Sequence, residues 1–156
     1  MELRPLDILV LKGYWFNPVT HIIFTRTSTT WTHCAVWTGK ELVEAVASGV
    51  KRTPLEHYKN RAYRVMRYAY PLHDSQVEVA LDWLNKQVAY AVGYDYLALL
   101  GFLTGLVAFD RVDKYYCAEL PAYMLIQAKV FLWNEIPAFI YPCEYIRNYN
   151  FKEVTQ

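Results

Sequence analysis

The sequence predicts an α+β domain, an antiparallel sheet or small barrel packed against a helical subdomain. Short β-rich runs fill the first half of the chain, apolar residues at helical spacing fill the second, and 156 residues with 54% apolar content suffice for one packed core. No repeat, low-complexity tract or Gly/Ser linker interrupts the chain, so a single domain over 1–156 is expected.

Each element has a local reason. Asp7 to Leu11 reads as an apolar strand. Trp31 to Thr38 and Glu41 to Val46 read as two more, joined at Gly39-Lys40, where glycine in the first loop position suits a type II′ hairpin. Tyr63 to Tyr68 is a fourth candidate. Ser75 and Glu78 have capping-box spacing, and Val77, Leu81, Leu84 and Val88 recur at helical intervals, so a helix of about 76–91 is expected, ending near Gly93. Asp95 is placed to cap an apolar helix over 96–109. A third helix should run from near Cys117 to about Phe131, and the tail after Pro137 is expected to be irregular or a final strand.

Charge and cysteine usage narrow the function classes. Sixteen Lys and Arg are scattered through a chain of net charge +1, which lacks the basic patch that a nucleic-acid binder needs. Three cysteines, an odd number and far apart, argue against a disulfide framework and for a reducing compartment. The N-terminus has no secretory signal pattern, so a cytoplasmic location is expected. Residues 97–109 carry no charge and only Thr104 as a polar side chain, but they fall short of the roughly 20 residues that span a bilayer. A buried helix is expected there, with peripheral membrane contact as the alternative.

The hairpin brings the first chemistry together. If Gly39 and Lys40 are the two loop residues, Thr38 faces Glu41, Ala35 faces Glu44 and His33 faces Val46. Alternation then puts Trp31, His33, Ala35 and Trp37 on one sheet face with Leu42, Glu44 and Val46. His33 and Glu44 become diagonal neighbours that a long carboxylate can bridge. A three-residue loop would reverse this parity.

Cys117 is the candidate nucleophile. Pro121 has no N–H, and its ring would clash with the carbonyl of a helical residue 117, so residue 117 marks the helix boundary. A thiol there meets the positive end of the helix dipole and free backbone N–H groups, which favour a thiolate and can bind an oxyanion. With His33 as base and Glu44 orienting it, Cys117 completes a catalytic triad. Tyr116, Tyr94 and Trp31 are the candidate substrate-binding residues. Cys34 should face away from the site, Cys143 should be structural, and His21, His57 and His73 should lie at the surface. Glu119 is expected as a first-turn helix carboxylate. No zinc site is expected, because the cysteines lack the close paired spacing of such sites; no cofactor is expected either.

The order of Asp7-Ile8-Leu9, Thr32-His33, Leu42-Val43-Glu44-Ala45, Gly49-Val50, Tyr94-Asp95-Tyr96, Tyr115-Tyr116-Cys117-Ala118-Glu119-Leu120 and Tyr141-Pro142 resembles the permuted papain-like cysteine amidases, the YiiX-like branch of the NlpC-type hydrolase superfamily. That resemblance implies a circularly permuted papain-like fold and a thiol-protease-like amidase acting on a peptide or isopeptide bond. It casts Cys117 as nucleophile, His33 as base and Glu44 as third member. Ala118 stands where Ser is common, and Cys34-Ala35 where Gly often follows the His. Lecithin-retinol-type acyltransferases have a related arrangement, so an acyl-lipid substrate is the alternative to a small peptide or amide, and a binding domain without turnover is a third.

Overall fold

A computed structural model describes residues 2–14, 16, 18–95, 114–130 and 140–154. Among them, six strands form one open antiparallel sheet in the order β4-β3-β2-β1-β5-β6. The strands are β1 (Ile8–Lys12), β2 (Trp31–Trp37), β3 (Leu42–Val46), β4 (Gly49–Thr53), β5 (Tyr63–Tyr68) and β6 (Phe151–Glu153). Helices α1 (Pro18–Thr27), α2 (Asp74–Ala89), α3 (Glu119–Gln127) and α4 (Glu144–Arg147) accompany them, with a 3₁₀ turn at Leu55–Tyr58. The expected 97–109 helix lies outside the described residues. Among the described residues, no helix is long and apolar enough to cross a membrane.

Side-chain alternation divides the sheet into two buried faces. Ile8, Val10, Cys34, Val36, Val43, Ala45 and Met66 face the larger core, which α2 and α3 complete with Ala80, Leu84, Leu120, Met124 and Leu125. Leu9, Leu11, Ala35, Leu42 and Val65 face a smaller cluster, closed by Tyr58 from the 3₁₀ turn. Burying a Leu-sized side chain contributes about 1.5–3 kcal/mol, so both faces hold the sheet. Asp7 adds a buried ionic tie, receiving Arg67 Nε on Oδ1 and Nη2 on Oδ2, both at 2.7 Å. This ion pair fastens the start of β1 to β5.

The β2–β3 hairpin has the expected register. Val36 pairs with Val43 and Trp37 with Leu42, and the Thr38 N–H donates to the Glu41 carbonyl at 3.0 Å. Gly39 has φ 101° while Lys40 does not enter the positive-φ region, the pattern of a type II′ turn. The ladder nevertheless stops short: β3 pairs with β4 as far as Val46–Gly49, whereas the β2–β3 pairs end at Val36–Val43. The expected pairs Ala35–Glu44 and His33–Val46 are not formed. The strands part there, and the gap between them becomes the site.

Other boundaries differ from expectation for identifiable reasons. The second helix starts at Asp74, because the capping box is made by His73 and Gln76, with the His73 N–H donating to Gln76 Oε1 at 3.0 Å. It ends at Ala89, ahead of Ala91 at φ 46°, rather than near Gly93. The third helix begins at Glu119, two residues after Cys117, and stops at Gln127 before the left-handed Lys129 at φ 60°. Pro121 therefore lies in its first turn, where the missing N–H is harmless. The tail does supply a final strand, β6.

Candidate active site

The start of β2 is where the two halves of the molecule meet. His33 projects from it toward Glu44 on β3, and Nε2 lies 2.6 Å from Glu44 Oε2. Glu44 is only 1% exposed and its carboxylate is filled by donors. Oε2 also accepts from the Tyr58 hydroxyl at 2.6 Å, and Oε1 accepts from the Thr53 hydroxyl of β4. Burial alone would raise the carboxyl pKa, but His33 and these two donors bring it down to about 2. The phenol of Tyr58 shifts the other way: burial and then the Glu44 charge push it well above its usual value.

Cys117 approaches from the opposite side. Its turn immediately precedes α3, and Sγ donates to the Thr32 carbonyl at 3.7 Å. His33 and Cys117 line the same cavity, and the thiol acts on the imidazole's pKa. Burial would lower the imidazole pKa, but Cys117 and Glu44 together outweigh it and raise it from 6.5 to about 9. The side chain of His33 remains 15% exposed, so one edge of the pair faces the cavity.

The turn that carries Cys117 is fixed by its neighbours. Glu119 reaches back to accept the Tyr116 N–H at 2.8 Å, the Tyr116 hydroxyl donates to the Ile140 carbonyl at 2.5 Å, and the Tyr145 hydroxyl donates to the Ala118 carbonyl at 2.7 Å. The backbone N–H groups of Cys117 and Ala118 donate to no group among the described residues. They are available at the point where charge would develop beside the thiol.

A cavity of about 220 Å³ opens over these groups, lined by Thr20, Thr32, His33, Glu44, Tyr94 and Cys117 together with Tyr14, Lys51, Tyr58 and Arg61. A larger cavity of about 600 Å³ lies between the N-terminal segment and Tyr68–Leu72, but none of its lining side chains is a Cys, Ser, Thr or His. Cys117, His33 and Glu44 all line the smaller one.

The three substrate-binding candidates separate. Tyr94 lines the cavity. Tyr116 does not: it is fully buried, and its ring braces the nucleophile turn. Trp31 packs against the core and under the cations of Lys12 and Arg64, outside the cavity lining. Of the remaining histidines, His21 and His57 are exposed, His57 at the cavity rim against Tyr58, while His73 caps α2. Cys34 lies in the larger core, as its alternation with His33 requires, and burial pushes its thiol well above the usual range. Burial also raises Cys143. Asp95 is buried and its N–H donates to the Tyr115 carbonyl; the helix it was expected to cap lies outside the described residues.

Thr53 and Tyr58 escaped sequence reasoning. Hydrogen bonds to a charged group contribute about 1.5–3 kcal/mol, so Tyr58→Phe is expected to destabilise the fold by that amount in urea unfolding. The variant should also let the Glu44 carboxyl rise from about 2. Thr53→Val should act in the same direction.

Fold and site together define an α+β domain in which a sheet-borne His–Glu pair meets a thiol at the start of a helix. In fold the chain is similar to the crystal structure of the metalloprotein yiiX from Escherichia coli O157:H7, DUF1105, with a TM-score of 0.71 over 98% of this chain and 97% of that one. The two share 14% of their residues, so the likeness is one of fold. No family model matches the sequence, and no curated protein matches it.

Proposed function

We propose that this chain is a cysteine hydrolase that cleaves an amide bond, peptide or isopeptide, through an acyl-enzyme on a circularly permuted papain-like fold. One observation carries the reading: the hydrogen-bonded pair Glu44–His33 and the thiol of Cys117 line one cavity, the carboxylate held by Thr53 and Tyr58 and the thiol donating to the Thr32 carbonyl. A thiol, an imidazole and a buried carboxylate in that order are the parts of nucleophilic acyl transfer.

The chemistry follows from the geometry. The Cys117 thiolate attacks the carbonyl carbon, and the oxyanion forms beside the N–H groups of Cys117 and Ala118. His33, held as imidazolium against Glu44, delivers its proton to the leaving amine as the C–N bond breaks. Now neutral, it removes a proton from water, whose oxygen attacks the thioester and releases the acid, while the sulfur leaves as thiolate beside the restored imidazolium. Glu44 does not transfer a proton; its charge and its two other donors keep the imidazole aimed at sulfur.

The structural neighbour yiiX is a metalloprotein, which raises the question of a metal at this place. Among the described residues no group of three His, Cys, Asp or Glu side chains could hold one. Both oxygens of Glu44 already accept from protein donors, and His33 Nε2 is committed to that carboxylate. This donor set suits proton transfer rather than metal ligation, and no step is assigned to a metal.

The test is differential alkylation of the folded protein. At neutral pH, iodoacetamide should label Cys117 faster than Cys34 or Cys143, because only a thiolate reacts and burial suppresses ionisation of the other two. Peptide mass spectrometry reads all three sites together. Equal rates at the three cysteines would overturn the hydrolase reading.

A further inference from the structure

The cavity that holds the proposed triad also carries charge that the triad does not use. Arg61 and Lys51 both line it. Among the described residues neither has a carboxylate within ion-pair distance, as is also true of Arg4, Arg26 and Arg147, whereas Arg52, Arg64 and Arg67 are each paired with one. Glu44 is the only acidic residue lining the cavity among those described, and its charge is matched by the His33 imidazolium. The wall is left with a net positive charge.

Arg61 is also positioned in a way that an idle surface arginine is not. Its Nε donates to the Lys12 carbonyl, and its guanidinium lies 4.3 Å from the Tyr14 ring centroid and 5.4 Å from that of Tyr58. The two rings hold the cation by cation–π attraction and the backbone carbonyl fixes its orientation. It is half-buried, and desolvation lowers its pKa despite the nearby Tyr58, Tyr14, Glu44 and Cys117. It lies close enough to feel the charges of both Glu44 and Cys117. Lys51 is directly across from Glu44 on β4 and is exposed, so its ammonium can swing over the opening.

We infer that Arg61 and Lys51 form an anion subsite, and that the substrate carries a compact anionic group, a carboxylate or a phosphate, next to the bond that Cys117 attacks. A guanidinium fixed in a partly desolvated wall binds such a group through paired N–H donors, and the lysine adds a mobile point charge. At about 220 Å³ the cavity falls below the roughly 300–1,000 Å³ of sites for drug-sized ligands, so it admits a small charged acyl or amino-acid portion rather than a long chain. This inference rests on the hydrolase reading, since it places the anion relative to the thiol.

Two alkylating reagents that differ only in charge test it. Iodoacetate carries a carboxylate and iodoacetamide a neutral amide of the same size, so the ratio of their rates at Cys117 reports the field at the thiol. The imidazolium contributes to that ratio as well, so the variants decide. Arg61→Gln is expected to lower the iodoacetate-to-iodoacetamide ratio by about tenfold, the factor equivalent to roughly 1.4 kcal/mol. Arg61→Lys should keep most of it, and Lys51→Gln, at an exposed position that will fold regardless, should lower it by about threefold. An unchanged ratio in both Gln variants overturns the anion subsite and leaves the hydrolase reading standing. Slow labelling of Cys117 by both reagents in the unmodified protein overturns the hydrolase reading and the subsite with it. Acetate and inorganic phosphate, compared as protectants of Cys117, assign the anion: the better protectant identifies the group.

Discussion

Replacing His33 by Ala is expected to slow iodoacetamide labelling of Cys117 at neutral pH by about 100-fold, at the lower end of what a positioned acid or base contributes. The physical basis is charge pairing. Burial would lower the His33 pKa, but Cys117 and Glu44 raise it to about 9, so at pH 7 the ring carries a proton; a cation beside a thiol generally favours the reactive thiolate. Alanine removes that cation and leaves the thiol in a nearly closed environment, 2% exposed. Cys34 and Cys143, whose thiols are suppressed by burial rather than by any partnership with His33, should label at unchanged rates and serve as internal controls. Glu44→Gln should slow Cys117 less, because it keeps the shape and one acceptor while losing the charge. Labelling of Cys117 that is indifferent to His33 would remove the imidazole from the site.

How much of this site could be read from the sequence depended on whether a local rule placed the residue. Gly39 allowed the turn type to be inferred, the turn set the parity, and the parity put His33 and Glu44 on one face. Pro121 marked the helix start through backbone sterics alone, which located Cys117 to within two residues of α3. Thr53 and Tyr58 had no such rule. They lie 9 and 14 residues beyond Glu44, and their donation to its carboxylate depends on how β4 folds back and where the 3₁₀ turn closes the smaller cluster. A signal for β4 did exist, since Ser48-Gly49 is a turn dipeptide directly after a strand. Following it would have delivered Thr53 to the same sheet as Glu44.

Helix α1 was hidden for a different reason. Val19, Thr20, Ile22, Ile23, Thr25 and Thr27 are β-branched, with low intrinsic helix propensity, and only Ile23 is fully buried. Tertiary placement overrides propensity here, and Pro18 at the first helical position was the cue available. The misplacement of Tyr116 and Trp31 has a common cause. Sequence adjacency to Cys117 or His33 says that a side chain is near, whereas helix and strand geometry decide whether it faces the cavity or the core. Arg61 and Lys51 were unreadable for the converse reason: nothing local marks them, and only the placement of β4 and of the segment ahead of β5 brings both to one cavity.

The largest expected effect on stability belongs to Glu44→Ala. That change leaves the Tyr58 hydroxyl, the Thr53 hydroxyl and the His33 imidazolium without their shared acceptor in a buried place, and breaking a buried charge pair in this way costs about 3–5 kcal/mol. The pH dependence identifies the cause. Glu44 titrates at about 2 in the fold against a reference of 4.5, so its contribution is fully present above about pH 4.5 and is lost as the pH falls through about 2. His33 is raised from 6.5 to about 9, so its contribution is fully present below about pH 6.5 and is lost as the pH rises through about 9. The difference in unfolding free energy between the native chain and Glu44→Ala, measured by urea titration across pH, should therefore be widest between about 4.5 and 6.5 and narrow on both sides. Should the Ala variant prove too unstable to titrate, Glu44→Gln carries the same dependence with a smaller amplitude. A difference that stays flat from acid to alkaline pH would mean that Glu44 acts through its volume alone, and that the His33–Glu44 pair has no electrostatic part in holding the site.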